Sequence, residues 1–227
     1  VEADLTITGN GSLTVEGNFQ DGIVSTNDLV IDAGNITVTA VDDGIRGKDS
    51  LTINGGTINV TAGGDGIKST NDTDTTKGYT TITGGEITVK AGDDGIKAET
   101  ALTIDGGTIT VSESAEALEG TNITINGGTL DVYGSDDAIN AASTTSSDIF
   151  IKVTGGDLKV AVGSGDTDAC DANGDIYISG GTIDVTAQSA FDFDGTAELT
   201  GGTVTVNGEQ ITQITATGPG AGGHGGW

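Results

Sequence analysis

Residues 51–68 read Leu51-Thr-Ile-Asn-Gly-Gly-Thr-Ile-Asn-Val-Thr61-Ala-Gly-Gly-Asp65-Gly-Ile-Lys68. A short alternating run, Leu51-Thr52-Ile53, meets a Gly-Gly corner. A second run, Ile58-Asn59-Val60, meets an Ala-Gly-Gly-Asp corner, and a third lies around Ile67. Alternation over a few residues marks strands, and glycine clusters mark turns.

The unit recurs along the chain. Its Gly-Gly corner begins at 55, 84, 106, 127, 155, 180 and 201, with Ala33-Gly34 as an upstream equivalent. Aligned on these corners, the apolar positions form three columns. The first is Ile7, Ile31, Ile53, Ile82, Ile104, Ile125, Val153, Ile178 and Leu199; the second is Val38, Val60, Val89, Val111, Val132, Val160, Val185 and Val206. The third is Ile23, Ile45, Ile67, Ile96, Leu118, Ile139, Cys170 and Phe191. No single unit can bury these side chains, whereas stacked units can. The pattern predicts an all-β, right-handed parallel β-helix of about nine coils with three short strands each, the hand following the chirality preference of parallel crossovers. At the strand spacing the rod is about 40 Å long. The solenoid is expected over 1–212 and a glycine-rich tail over 213–227.

Composition narrows the function. The chain of 227 residues carries 34 acidic against 8 basic residues, a formal net charge of −26. That charge excludes a nucleic-acid binder held by phosphate contacts. A single cysteine excludes a disulfide framework, and no apolar run reaches a membrane span of about 18 residues. Cys170 falls in the third apolar column and reads as a buried small hydrophobe. His224 lies in the glycine tail with no evident partner.

The corner before each third strand is acidic in seven successive units: Asp21, Asp43, Asp65, Asp94, Glu116, Asp137 and Asp168. Stacked at about 4.8 Å, neighbouring carboxylates repel by roughly 3.5 kcal/mol at an effective dielectric of 20. Three residues further on, the early units carry Arg46, Lys68 and Lys97; the later ones carry Glu119, Asn140, Asp171 and Asp192. Basic partners thus give way to oxygen donors, and oxygen donors without His or Cys favour Ca²⁺. The expected calcium ligands are Glu116, Glu119, Asp136, Asp137, Asp168, Asp171 and Asp192, with a weaker group of Asp42, Asp43, Asp65, Asp93 and Asp94. The alternative is a solvated acidic ridge.

Two insertions, residues 71–77 and 142–147, follow third strands three units apart and are expected to project from one edge of the rod, where solenoid loops often bind. Tyr79 and Phe150 share one outward column and Tyr177 the next, a candidate stacking surface for sugar rings.

The recurrent Asp-Asp-Gly-Ile-[Lys/Arg], followed by Leu-Thr-Ile-x-Gly-Gly-x-Ile-x-Val, resembles a family of secreted bacterial carbohydrate-binding β-helix proteins similar in architecture to pectate lyases. The resemblance runs from about Asp4 to Val206, and residues 218–227 resemble the tails of such proteins. It implies an extracellular or cell-surface protein that binds cellulose and acidic sugars such as polygalacturonate, with calcium. Later units depart from the motif, Ala replacing the glycine after the acid and the lysine being lost. Arg46, Lys68 and Lys97 are candidates to hold a sugar carboxylate. A pectate lyase using one of them as base, and a structural adhesin, are the alternatives. Threonine rows on the second strands suggest an ice-binding face, but Asn59, Glu86, Asp131, Asp157, Lys159 and Asp184 interrupt them.

Overall fold

The computed structural model describes residues 3–143, 146, 148–165 and 167–217. Thr144, Thr145, Ser147 and the tail residues 218–227, His224 included, lie outside the described residues. Over the described residues the chain winds as a parallel β-solenoid of about nine coils. A representative coil is Ser50–Ile53, Thr57–Ala62 and Ile67–Ser69.

The three apolar columns are the three cores of strand pairing. Ile31, Ile53, Ile82 and Ile104 stand directly over one another in the first stack. Val38, Val60, Val89 and Val111 do so in the second, and Ile45, Ile67, Ile96 and Leu118 in the third. The first two stacks each contribute a further inward row, Leu29, Leu51 and Leu102 in one and Ile36, Ile58, Ile87 and Ile109 in the other. Cys170 sits between Ile139 and Phe191 in the third stack, and burial pushes its thiol up to about 12. It packs as a hydrophobe.

Each Gly-Gly corner turns through a positive φ at its second glycine, +99° at Gly56 and +104° at Gly85, a conformation that only glycine adopts freely. Side chains beside these corners form their own ladder. Asn54 donates to Asp32 and accepts from Thr83; Asn126 donates to Asp105 and accepts from Thr154. The last coil is closed by Glu209–Ile211, which pairs antiparallel with the strand Ala197–Val206. Beyond it Ile214 is buried, and Thr217 Oγ1 accepts the amides of Ala190 and Phe191 at 2.9 and 3.2 Å.

Candidate functional site

The acidic corners stack as a zipper. One carboxylate oxygen of each early aspartate accepts the backbone N–H of the acid one coil on: Asp43 Oδ1 from Asp65, Asp65 Oδ1 from Asp94, at 3.1 and 3.0 Å. The other oxygen meets a cation from the third strand. Lys68 Nζ lies 2.8 Å from both Asp43 and Asp65; Arg46 reaches Asp21 at 2.6 Å and Asp43 at 4.0 Å. Burial works against the charge on Lys68, but its hydrogen bonds to Asp43 and Asp65 outweigh it and raise its pKa.

The zipper changes at Lys97, which bridges Asp94 and Glu119 at 2.7 and 2.5 Å. Asp94 Oδ1 is buried and meets no N–H or fixed O–H donor. Burial, then hydrogen bonding with Asp94, pushes the Glu116 carboxyl up to about 8. Burial and Asp94 likewise push Glu119 to about 8, although Lys97 pulls the other way. Asp94 stays ionised despite its burial, because Glu119, Glu116 and Lys97 bond to its charged form. Asp94 and Glu119 share the Lys97 ammonium, while Glu116 adds a third carboxyl beside Asp94 with no cation of its own.

Past this point the same row continues Glu119, Asn140, Asp171, Asp192. Asp171 rises to about 7 through burial and then through the charges of Asp137, Asp192, Asp168 and Asp194. Burial also raises Asp137, helped by the charges of Asp136, Asp168 and Asp192 and opposed by the bond its carboxylate accepts from the Asp168 amide. Asp168 in turn accepts a hydrogen bond from Ser189. The structure therefore gathers Asp136, Asp137, Asp168, Asp171 and Asp192 into one field of like charge.

The tightest acidic groups are elsewhere. Among the described residues, carboxylate oxygens within 4.8 Å of one another occur in Asp21, Asp42 and Asp43, and in Asp65, Asp93 and Asp94. Asp21, which the sequence reading left outside the ligand set, belongs to the first of these. Both groups already carry bound cations through Arg46, Lys68 and Lys97. Close packing and unmet charge therefore occur in different halves of the row.

A groove lies beside it. The insertion at 71–77 is fixed by its own side chains: Asn71 Oδ1 accepts the amides of Thr73 and Asp74, while Asn71 Nδ2 and Lys77 Nζ both reach Asp49 at 2.7 Å. This loop and the segment of Ala142, Ser143 and Ser146 wall a cavity of about 840 Å³. Its floor comes from Tyr79, Thr81, Lys97, Thr103, Glu119 and Asn122. Tyr79 is 39% exposed there. Of the predicted sugar contacts, the groove brings together Tyr79 and Lys97. Arg46 and Lys68 lie in the zipper outside it. Phe150 and Tyr177 occupy neighbouring coils as expected, also outside it, and Tyr177 bonds to Asp175. Sequence reasoning missed Asp72, Asp74, Glu99 and Asn173 on the walls and floor. Asp72 and Asp74 were legible only as members of an insertion.

A family model described as "Carbohydrate-binding domain-containing protein" matches residues 1–169. A protein of that description from Acetivibrio thermocellus is 62% identical over 37 residues, which span 16% of this chain and 13% of that protein. A solved polysaccharide lyase-like protein from C. thermocellum, a gadolinium derivative, aligns over 92% of this chain and 86% of its own, with 21% identity and a TM-score of 0.39.

Proposed function

The chain belongs to this carbohydrate-binding domain family, and from that premise we propose that it binds acidic plant cell-wall polysaccharide of the polygalacturonate type, with Ca²⁺ as the bridge. The observation that carries the reading is the juxtaposition of a polar groove floored by Tyr79, Lys97 and Glu119 with an acidic row whose basic partners stop at Lys97. A protein at −26 repels a polyuronate unless cations intervene.

The donor set fits a hard cation. Asp137, Asp168, Asp171 and Asp192 offer only oxygens, and burial, with their mutual repulsion added to it, raises Asp137 and Asp171. In the early groups a second cation would face Arg46, Lys68 or Lys97, so those groups fit less well. Bound Ca²⁺ would supply the positive charge that a uronate carboxylate needs. Asp137, Asp168, Asp171 and Asp192 would hold it, with Glu116 and Asp136 beside them. Lys97, already held by Asp94 and Glu119, orients that end of the groove. A binding site of this kind suits an extracellular or cell-surface protein, where calcium is abundant.

The lyase alternative asks for Arg46, Lys68 or Lys97 to act as base, and Arg46 is paired with Asp21. Lys68 and Lys97 are held protonated, burial being outweighed by their carboxylate bonds. Prolonged incubation with pectate is expected to yield no unsaturated-uronate absorbance. Tyr79 in the groove favours a second reading, stacking of a neutral glucan such as cellulose. Calorimetry with soluble polygalacturonate, in calcium and in chelator, decides between them. Binding that disappears in chelator supports the calcium bridge, and undiminished binding in chelator overturns it.

A further inference from the structure

The two walls of the groove differ from the coils between them in a way that dictates what fits. The loop at 71–77 follows the third strand Ile67–Ser69, and Ala142, Ser143 and Ser146 follow Ile139–Ala141. Between them, two coils pass from third to first strand with no loop, as the single strands Ile96–Ile104 and Leu118–Ile125. Strand register places Ser69, Ala98, Gly120 and Ala141 on successive coils, so the walls stand three coil steps apart. At the strand spacing that is about 14 Å before side chains are counted. Among the described residues, these segments flank the groove along the rod axis, and no insertion flanks it along the strand direction. The first wall is stiff, held by Asn71 and Lys77 on Asp49 and by Thr100 on the Lys77 carbonyl.

We propose that the loop at 71–77 and the residues Ala142, Ser143 and Ser146 form a saddle that admits one isolated polysaccharide chain, laid across the rod, and excludes the flat face of a packed or crystalline polysaccharide. The inference rests on the carbohydrate-binding reading and adds a selectivity to it. A packed face is wider than the saddle and would rest on the walls, out of reach of Tyr79 and Thr103. A single chain lies between the walls and reaches both, with Asp72, Glu99 and Asn122 available to its hydroxyls.

The test compares isolated chains, soluble polygalacturonate with Ca²⁺ and cellohexaose, against crystalline cellulose. Two variants are used. Thr103→Trp fills the floor, and deletion of residues 72–76 removes the first wall while keeping Asn71 and Lys77. Melting curves and circular dichroism confirm folding, and if the deletion variant does not fold, Thr103→Trp decides alone. The parent chain is expected to bind at least one isolated chain and to leave crystalline cellulose unbound. Thr103→Trp should weaken isolated-chain binding by at least about tenfold, equivalent to about 1.4 kcal/mol. The wall deletion should raise retention on crystalline cellulose. Isolated-chain binding unchanged by Thr103→Trp, or crystalline cellulose bound by the parent as well as isolated chains, overturns the saddle and leaves the carbohydrate reading standing. No binding to any of the three probes overturns both.

Discussion

Lys68 shows how one side chain decides the fate of two. Asp43 and Asp65 are 6% and 4% exposed, and each gives one oxygen to the backbone of the next coil and the other to Lys68. Replacing the lysine by Met leaves the buried Asp65 without its counter-charge and Asp43 with Arg46 alone, at 4.0 Å. Lys68→Met should therefore cost about 3 kcal/mol, in the range for breaking a buried pair. Urea unfolding checks this, with Lys68→Arg, which keeps the charge, as control; an equal loss in the two variants would show that packing is responsible. A neighbouring residue explains the glycine that the motif repeats. A Cβ at Gly44 would run into Val60 Cγ1 and the Gly66 carbonyl of the next coil, whereas Ala138 and Ala169 bury their methyls in the core of the later coils. Gly44→Ala is expected to destabilise by about 1–3 kcal/mol through overpacking, measured by thermal melting.

The third-strand row, taken as an element, links charge to pH. Glu116 and Glu119 are raised from 4.5 to about 8 and Asp171 from 3.8 to about 7. Between the unfolded and folded values the native chain holds more protons than the unfolded one, so stability falls as pH rises through that window. In chelator, the melting temperature should be higher at pH 5 than at pH 8. Added Ca²⁺ should raise it more at pH 8, where protons no longer compete for the same oxygens. A chelated protein that melts higher at pH 8 would contradict this assignment of charge. The row itself was legible in sequence, because period-two alternation and a fixed coil length put Arg46, Lys68, Lys97, Glu119, Asn140, Asp171 and Asp192 in register. Its electrostatic break at Lys97 was legible too. The groove was not. Its floor is drawn from three coils, and the shape of its first wall depends on side chains, such as Asn71, bonding to a coil distant in sequence. Spacing alone gave the edge from which the loops project and left Asp72, Glu99 and Asn173 without a role.

At the scale of the whole rod, stability is a chain of nearest-neighbour contacts, so the ends should open first. The two ends differ. At the carboxyl end, Glu209–Ile211 caps the last coil and Thr217 satisfies the amides of Ala190 and Phe191. At the amino end, the strand Ser12–Gly17 is mostly exposed, with Leu13 at 39% and Phe19 beyond it at 86%. Amides such as Gly22 and Ile23 donate into the second coil, while the opposite edge of the first coil has no strand of this chain beneath it among the described residues. Hydrogen exchange should therefore be fastest in 12–17, slowest in central strands such as Thr108–Glu113, and intermediate in 203–206 under the cap. Mass spectrometry of exchange over time resolves the three. Deleting residues 209–217 should speed exchange in 203–206 toward that of 12–17, since it bares the last coil and leaves an unpaired edge open to association. Protection of 12–17 equal to that of the central strands would mean that something covers the amino-terminal edge in solution, and size-exclusion chromatography would then distinguish a second copy from a monomer.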